Sequence, residues 1–211
     1  MPMSVPLSNR FERRRSETRQ ALVRAARQIL AESGDTSASI RAIAERADVG
    51  FGSFYNHFGS KSDLFDAAVD DAMEEFAQAI DERLHGVDDP AERLAGGLRL
   101  SARLAESHPE IMRILCHSEL GRICAGSGLA PRARRDVEQG SASGRFTVVD
   151  PVIALSALNG SLLALLELWF SKPEVDIDQA AGTMAEMLLH MLGLSPDEAR
   201  DVAWGPLSAA A

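Results

Sequence analysis

Apolar side chains recur along this chain at intervals of three and four residues, which is the spacing of one buried helical face. The pattern starts after Ser16 and predicts a first helix that ends at Gly34, since glycine readily adopts the left-handed backbone beyond a helix. Residues 1–15 contain two prolines and several arginines with little to bury, so they predict a flexible basic arm.

Two short helices joined by a tight turn are predicted next. Ser39 is a suitable N-cap for the first of them, whose apolar positions continue to Ala47. The second helix runs from Phe51 to Phe58, and the turn contains Asp48, one of the few side chains that tolerate left-handed backbone. This arrangement describes a helix-turn-helix, whose second helix enters the major groove of DNA.

Cap residues mark the starts of the remaining predicted helices. Ser60 and Asp63 have the spacing of a capping box, which opens a long helix to about residue 84. Three later starts place a cap residue before a proline, at Asp89-Pro90, Asp150-Pro151 and Ser195-Pro196. The predicted helices cover about 90–107, 109–118, 129–140, 151–171, 177–192 and 196–203. No stretch alternates as a strand would, so we expect an all-α fold of nine or ten helices.

The charge is unevenly distributed along the 211 residues. Residues 1–61 carry ten Lys and Arg against six Asp and Glu, whereas the remaining residues carry twelve against twenty-five. A basic end on an acidic body predicts that the N-terminal segment alone contacts a polyanion. Two cysteines cannot make a disulfide framework, and no apolar segment near Met1 resembles a signal peptide, so we expect a cytoplasmic protein.

One apolar stretch, at 152–170, is long enough to cross a bilayer. Its polar residues include Asn159 and the charged Glu167, and no basic cluster flanks it, which counts against a membrane span. A buried helix in a soluble oligomer has the same hydropathy, and that is the interpretation we adopt. We therefore expect no membrane partner.

The stretch SIRAIAERADVGFGSFYNHFGSKSDLF at 39–65 resembles the DNA-binding signature of the TetR family of transcriptional regulators. The resemblance extends from about Thr18 to Phe65. Its sequence departs from the usual family pattern at Asp48, where glycine is commoner, and at Gly50, where serine often caps the recognition helix. Its most specific part is the ordered set Ile43-Ala44, Val49, Gly52, Phe54-Tyr55, Phe58, Lys61 and Leu64.

The resemblance implies phosphate contacts by Tyr55 and His57, and a further one by Lys61 at a helix N-terminus. Ser39 and Arg41 on the preceding helix, together with the arginines of the arm, are further phosphate candidates. Two alternatives stay open: Tyr55 could be a core residue with a satisfied hydroxyl, and His57 could be an incidental surface histidine.

The resemblance implies that Phe51, Gly52 and Ser53 of the second short helix face base edges and recognise the DNA sequence. Phe51 stands where the family often has Lys or Arg, so it cannot donate to guanine and could instead touch a thymine methyl. Asn56 also lies on the outward face, since Phe54 and Phe58 point inward.

The predicted helices at 151–171 and 177–192, in the acidic part of the chain, each carry a row of residues along one face that suits a close helix–helix contact. Two such helices from each of two chains would form a four-helix bundle. The resemblance places the family's dimer interface in the same helices, while an intrachain core helix remains the alternative. The residues of the two stripes that we assign to a homodimer interface are Ala157, Gly160, Ala164, Met184, Leu188 and Met191, and Met187 is the alternative to Leu188 in the second stripe.

The resemblance also implies a ligand cavity in about 90–140, where the candidate lining residues are Met112, Leu115 and Cys116. No residue pattern in this region identifies the small-molecule effector. A redox role for Cys116 or Cys124 is an alternative to buried structural cysteine.

The histidines have no metal-ligand spacing, and Cys116 and His117 are adjacent and therefore point in different directions from a helix. We predict no catalysis, metal or cofactor.

The predicted domains are the arm at 1–15, a helix-turn-helix domain at 16–62 and a ligand-binding and dimerisation domain at 63–211. The predicted function is a homodimeric repressor that a small molecule releases from a palindromic double-stranded operator. The alternative is an all-α small-molecule or protein-binding dimer whose helix-turn-helix is vestigial, and an α-helical enzyme using Cys116 is a third possibility.

Overall fold

The computed structural model describes residues 7–34, 36–107, 128–172 and 174–207. Within these ranges the chain forms nine helices and no strand, which confirms the all-α prediction. The helices are α1 (Leu7–Ser33), α2 (Ile40–Arg46), α3 (Phe51–Tyr55), α4 (Lys61–Arg83), α5 (Pro90–Ser107), α6 (Leu129–Ala142), α7 (Pro151–Ser171), α8 (Ile177–Met191) and α9 (Pro196–Trp204). The helix predicted at 109–118 lies outside the described residues.

The first helix starts earlier than the sequence predicts. Helix α1 begins at Leu7, so residues 7–15 are helical and are not part of a flexible arm. Between Leu7 and Ser33 the chain has no proline or glycine, and Arg13 pairs with Glu17 one turn later at 2.9 Å. No glycine or proline interrupts the segment, so the helix continues back to the residue after Pro6.

The predicted caps are present. The Ser60 N–H donates to the Asp63 carboxylate at 3.0 Å, and the Asp63 N–H donates to the Ser60 hydroxyl at 3.1 Å, which completes the capping box before α4. The Asp150 carboxylate accepts from the Val152 N–H at 2.9 Å before α7. The Ser195 hydroxyl caps α9 in the same way.

The chain divides into two compact units, Met1–Ala72 and Met73–Ala211. The first unit buries aliphatic residues of α1 and α2 together with aromatic residues from α3 and the turn after it, including Leu22, Ile43, Phe54 and Phe58. The division falls within α4, whereas the predicted domain boundary between residues 62 and 63 lies at the start of that helix.

The second unit is organised around α8, which packs against α5, α7 and α9. One close approach explains how α9 is held. A Cβ atom at Gly182 would lie 2.6 Å from the Trp204 ring, so only glycine allows the ring to approach α8 this closely. The Trp204 indole N–H also donates to Glu186 at 2.9 Å.

Helix α7 is the one helix in the described part of the chain that is long and apolar enough to cross a membrane. The same test is passed by core helices of proteins that never enter a bilayer. Only 28% of its most apolar window is buried inside the chain, so the expected all-round burial is not reached within one chain.

Candidate nucleic-acid interface and interior cavities

The turn between α2 and α3 has the geometry of a helix-turn-helix. The Ser39 hydroxyl accepts from the Ala42 N–H at 3.1 Å and caps α2. Asp48 has a φ of 53°, which confirms the predicted left-handed residue. The Val49 N–H then donates to the Ala44 carbonyl at 3.0 Å, which fixes the direction in which α3 leaves the turn.

Helix α3 buries one face and presents the other to solvent. Phe54 is fully buried. On the opposite face Phe51, Gly52, Tyr55 and Asn56 are exposed. The Tyr55 side chain is 58% exposed, so the alternative that Tyr55 belongs to the core is wrong. Ser53 and His57 are half-buried beside this face.

Aromatic rings hold two guanidinium groups on this unit. The Arg41 guanidinium lies over the Phe51 ring, 5.8 Å from its centroid, and the Phe51 ring meets Tyr55 edge-on at 5.8 Å. Arg19 of α1 lies over Phe58 at 5.2 Å in the same manner. Each ring therefore supports an arginine by a cation–π contact. Neither contact could be predicted from the sequence pattern, although a phenylalanine at position 51, where the family often has Lys or Arg, was a signal.

His57 is surrounded by positive charge. Burial lowers the pKa of its imidazole, and the nearby Arg15 and Arg19 lower it further. Arg15, Arg19, Arg41 and Lys61 have no ion pair in the described ranges, and Ser39 and Arg41 are exposed. The surface around α3 therefore gathers cations without neutralising them.

The start of α3 lacks a side-chain cap. Gly50 is the N-cap residue, and no side-chain hydrogen bond reaches it. A Cβ atom at this position would be 3.7 Å from the Ser53 hydroxyl, which is an ordinary contact distance. A serine would therefore fit, and its absence leaves the first turn of α3 less firmly fixed.

The second unit exposes an apolar surface along α7 and α8. Gly160 has open space where a Cβ would be, and Ala164 and Met191 are exposed. Ala157 and Met184 are half-buried. Two large side chains that the assigned stripes omitted, Ile153 and Met187, are 65% and 64% exposed.

Leu188 is a correction to the predicted dimer stripe. Its side chain is 8% exposed and belongs to the core of its own chain. Met187, one residue earlier, faces outward instead. The sequence allowed either residue to continue the stripe after Met184, because both lie within one helical turn of it.

A partly open cavity of about 70 Å³ is lined by residues of the second unit. Its walls come from α4, α5, α6, α7 and α8, and most of them are leucine, isoleucine or alanine side chains. The polar side chains that line it are Asp81, Arg93, Ser101, Arg132, Asp136 and Asn159.

The charged groups of this larger cavity neutralise one another. Arg93 bonds the nearly buried Asp136 at 3.1 Å and lies 3.5 Å from Asp81. Arg132 bonds Asp81 at 2.5 Å and Glu74 at 2.9 Å. The hydrogen bond from Arg132 lowers the pKa of Glu74. The network holds the polar side of the cavity in one arrangement.

Ser101 and Asn159 differ in how they use their polar atoms. The Ser101 hydroxyl donates to the Gly97 carbonyl at 2.7 Å, within its own helix. Asn159 projects from the apolar helix α7, and its amide makes no hydrogen bond to any residue that the structure describes. Among the residues that the structure describes, its amide donors and acceptor are therefore open to a ligand.

A second cavity of about 30 Å³ adjoins the first. The two cavities share Leu129, Asn159 and Leu162 as lining residues. The rest of the smaller cavity is apolar, and its other lining residues are Met73, Phe76, Ala130, Leu163 and Leu166.

The predicted pocket residues Met112, Leu115 and Cys116, and also Cys124, lie outside the described residues. In the ranges that are described, no group of three or more His, Cys, Asp or Glu side chains is arranged to hold a metal ion. The cavity residues were missed because they come from five helices, whose meeting point the sequence does not reveal.

The chain belongs to the TetR family of transcriptional regulators. Residues 22–68 match the family model described as "Bacterial regulatory proteins, tetR family". Residues 89–204, more than half of the chain, match "Tetracyclin repressor-like, C-terminal domain". The family is a family of DNA-binding regulators and not a class of enzymes, and the resemblance found in the sequence is confirmed.

Several relatives support the assignment. RolR, solved with the ligand resorcinol, is 34% identical over 95% of this chain and 100% of its own, with a TM-score of 0.66. The transcriptional regulator HbdR of Aromatoleum sp. (strain CIB) is 31% identical over 37% of this chain, and YvdT of Bacillus subtilis (strain 168) is 31% identical over 48%. The chain spans 34% and 52% of the lengths of these two curated relatives.

Proposed function

We propose that this chain is a cytoplasmic homodimeric repressor that binds a palindromic operator and leaves it when a small molecule occupies the second unit. The proposal assigns DNA binding to residues 16–62, and ligand binding and dimerisation to 63–211. The observation that carries it is the combination of an un-neutralised cationic surface around α3 with a cavity in the other unit.

The DNA contact would be divided between two sets of side chains. The exposed Phe51 and Gly52 and the half-buried Ser53 would face base edges in the major groove. Tyr55, His57, Lys61 and Arg41 would contact phosphates, since they lie in or around that helix and no carboxylate in the described ranges pairs with Lys61 or Arg41. Asn56 and Ser39 are further polar candidates on the same surface.

Dimerisation would cover the apolar face of α7 and α8. That face includes Ile153, Gly160, Ala164, Met187 and Met191, and much of it is open to solvent in a single chain. Large exposed apolar patches mark protein–protein contacts. A two-fold dimer would also present two recognition helices to successive major grooves, about 34 Å apart.

The effector would be a small molecule with an apolar body and a few hydroxyl groups. The larger cavity offers apolar walls and a polar side formed by charged pairs and the free Asn159 amide. RolR, which resembles this chain over nearly its whole length, is solved with resorcinol, a ligand of this kind. Release would follow from tighter binding of the effector to a form that does not fit the operator.

The test is fluorescence anisotropy with the duplex that precedes the protein's own gene. We expect tight binding that weakens steeply with added salt, and release of the duplex by resorcinol. A scrambled duplex of equal length is the control. Salt-independent binding, or equal affinity for both duplexes, would favour the alternative in which the helix-turn-helix is vestigial.

Dimerisation is tested separately by analytical ultracentrifugation. Gly160→Phe should convert dimer to monomer, because it fills the space needed for close approach of a second helix. Glu138→Phe, at an exposed position on α6, is the matched control and should leave the dimer intact. A wild-type monomer at micromolar concentration would contradict the proposed assembly.

A further inference from the structure

The two adjoining cavities differ in chemistry. All the charged lining residues belong to the larger cavity, whereas Asn159 is the single polar residue that lines the smaller one. A ligand that entered both would therefore need a polar part and an apolar part. The Asn159 amide, common to the two linings, would lie where these parts join.

The size of the smaller cavity limits the apolar part. Its 30 Å³ corresponds to roughly two or three water-sized groups, since one water needs about 10–15 Å³ measured in this way. A methylene or methyl group is close to a water molecule in size. An apolar cavity of this kind gains nothing from holding water, because it offers a single polar side chain as partner.

We propose that the effector has two parts: a hydroxylated ring in the larger cavity, held in part by Asn159, and an alkyl substituent of two or three carbons in the smaller cavity. This inference rests on the proposed effector response and deepens it, because it names which members of the class bind best. The smaller cavity therefore selects effectors by the length of the alkyl substituent.

The experiment is isothermal titration calorimetry of the purified protein with resorcinol and its 4-ethyl, 4-propyl and 4-hexyl derivatives. Each buried carbon should strengthen binding about fourfold, so the ethyl compound should bind roughly fifteenfold more tightly than resorcinol. The propyl compound should be at least as tight as the ethyl one. The hexyl compound should lose this gain, because its chain exceeds the space.

Variants of the smaller cavity separate its role from that of the larger one. Leu163→Phe should remove the gain from the alkyl chain and leave resorcinol affinity unchanged, since Leu163 lines only the smaller cavity. Phe76→Leu should enlarge the space and shift the optimum to a longer chain, and it tests the same idea if the first variant folds poorly. Glu138→Phe, at an exposed residue that lines neither cavity, is the control and should change nothing.

Asn159→Leu should weaken every member of the series by a similar factor, roughly fivefold, without changing the optimum length. Affinity that is independent of chain length, or that rises steadily through the hexyl compound, would overturn the two-part ligand while leaving a resorcinol-responsive regulator in place. Failure of all four compounds to bind would overturn this inference and the proposed effector class, while the operator measurement would still stand.

Discussion

Two arginines beside α3 in the first unit and two arginines of the cavity network in the second unit are used in opposite ways. In the first unit Arg41 and Arg19 lie over aromatic rings, and no carboxylate pairs with them among the residues described. In the second unit Arg93 and Arg132 are each shared between carboxylates of other elements. The first arrangement leaves positive charge at the surface, whereas the second uses the charge to join helices.

The difference shows what net charge conceals. An aromatic ring orients a guanidinium without neutralising it, so the group remains able to attract a phosphate. A pair of carboxylates neutralises the guanidinium, so the group contributes to stability and no longer attracts a phosphate. The overall charge of −9 therefore says little about which surface meets a polyanion.

The largest expected effect comes from breaking the second arrangement. Arg93→Leu should lower the free energy of unfolding by about 3 kcal/mol, because it leaves the nearly buried Asp136 with only the exposed Arg135 as a partner. Urea unfolding followed by circular dichroism measures the change.

The matched variant in the first unit is Arg41→Leu. It should change the free energy of unfolding by no more than about 0.5 kcal/mol and weaken DNA binding instead. Similar losses of stability in both variants would remove the distinction between the two units.

The next effect concerns DNA affinity. Lys61→Ala should weaken binding roughly tenfold at low salt, equally for all duplexes, and reduce the salt slope by about one. Changes at Ser53 or Phe51 should instead alter which sequence is preferred. Anisotropy with a panel of duplexes distinguishes the two results, and uniform effects from all three positions would contradict the division of labour.

A smaller effect is expected from pH. The pKa of His57 is lowered in the free protein, so the imidazole is neutral at pH 7. A nearby phosphate raises the pKa in the complex, so binding takes up a proton and DNA affinity should rise a few-fold as the pH falls below about 6.5. His57→Gln should abolish this rise, and an unchanged pH profile in that variant would exclude His57 as its source.

The smallest effect tests the uncapped helix. Gly50→Ser should raise the free energy of unfolding by only a few tenths of a kcal/mol, because serine and glycine differ little as N-caps. Thermal unfolding measures it, with the exposed Gly52→Ser as a control that cannot cap α3. A destabilised Gly50→Ser protein would show that the first turn of α3 needs the glycine.

The sequence predicts local features of this protein more completely than those that depend on distant contacts. The left-handed Asp48, the capping box at Ser60 and the start of α7 after Asp150 are each determined by residues a few positions apart. The orientation of Leu188 depends on which side of α8 meets the rest of the unit. Periodicity alone could not choose between it and Met187.

The candidate sites show the same division. The outward face of α3 could be predicted because one short amphipathic helix defines it. The cavity and its ion pairs could not, since Arg93, Asp136 and Asp81 lie on three helices and meet only after the second unit has packed. Arg19 was missed for a similar reason: its partner Phe58 is distant in sequence.

The location of Trp204, which packs against Gly182 in the second unit, has a practical consequence for spectroscopy. Both tryptophans of the chain, Trp169 and Trp204, lie in the second unit, whereas the single tyrosine, Tyr55, lies beside α3 in the first. The two units therefore differ in their chromophores, with tryptophan in the second unit and tyrosine in the first. Excitation at the red edge of the indole absorption band does not excite Tyr55, so the emission of the unmodified protein reports on the second unit without an attached dye.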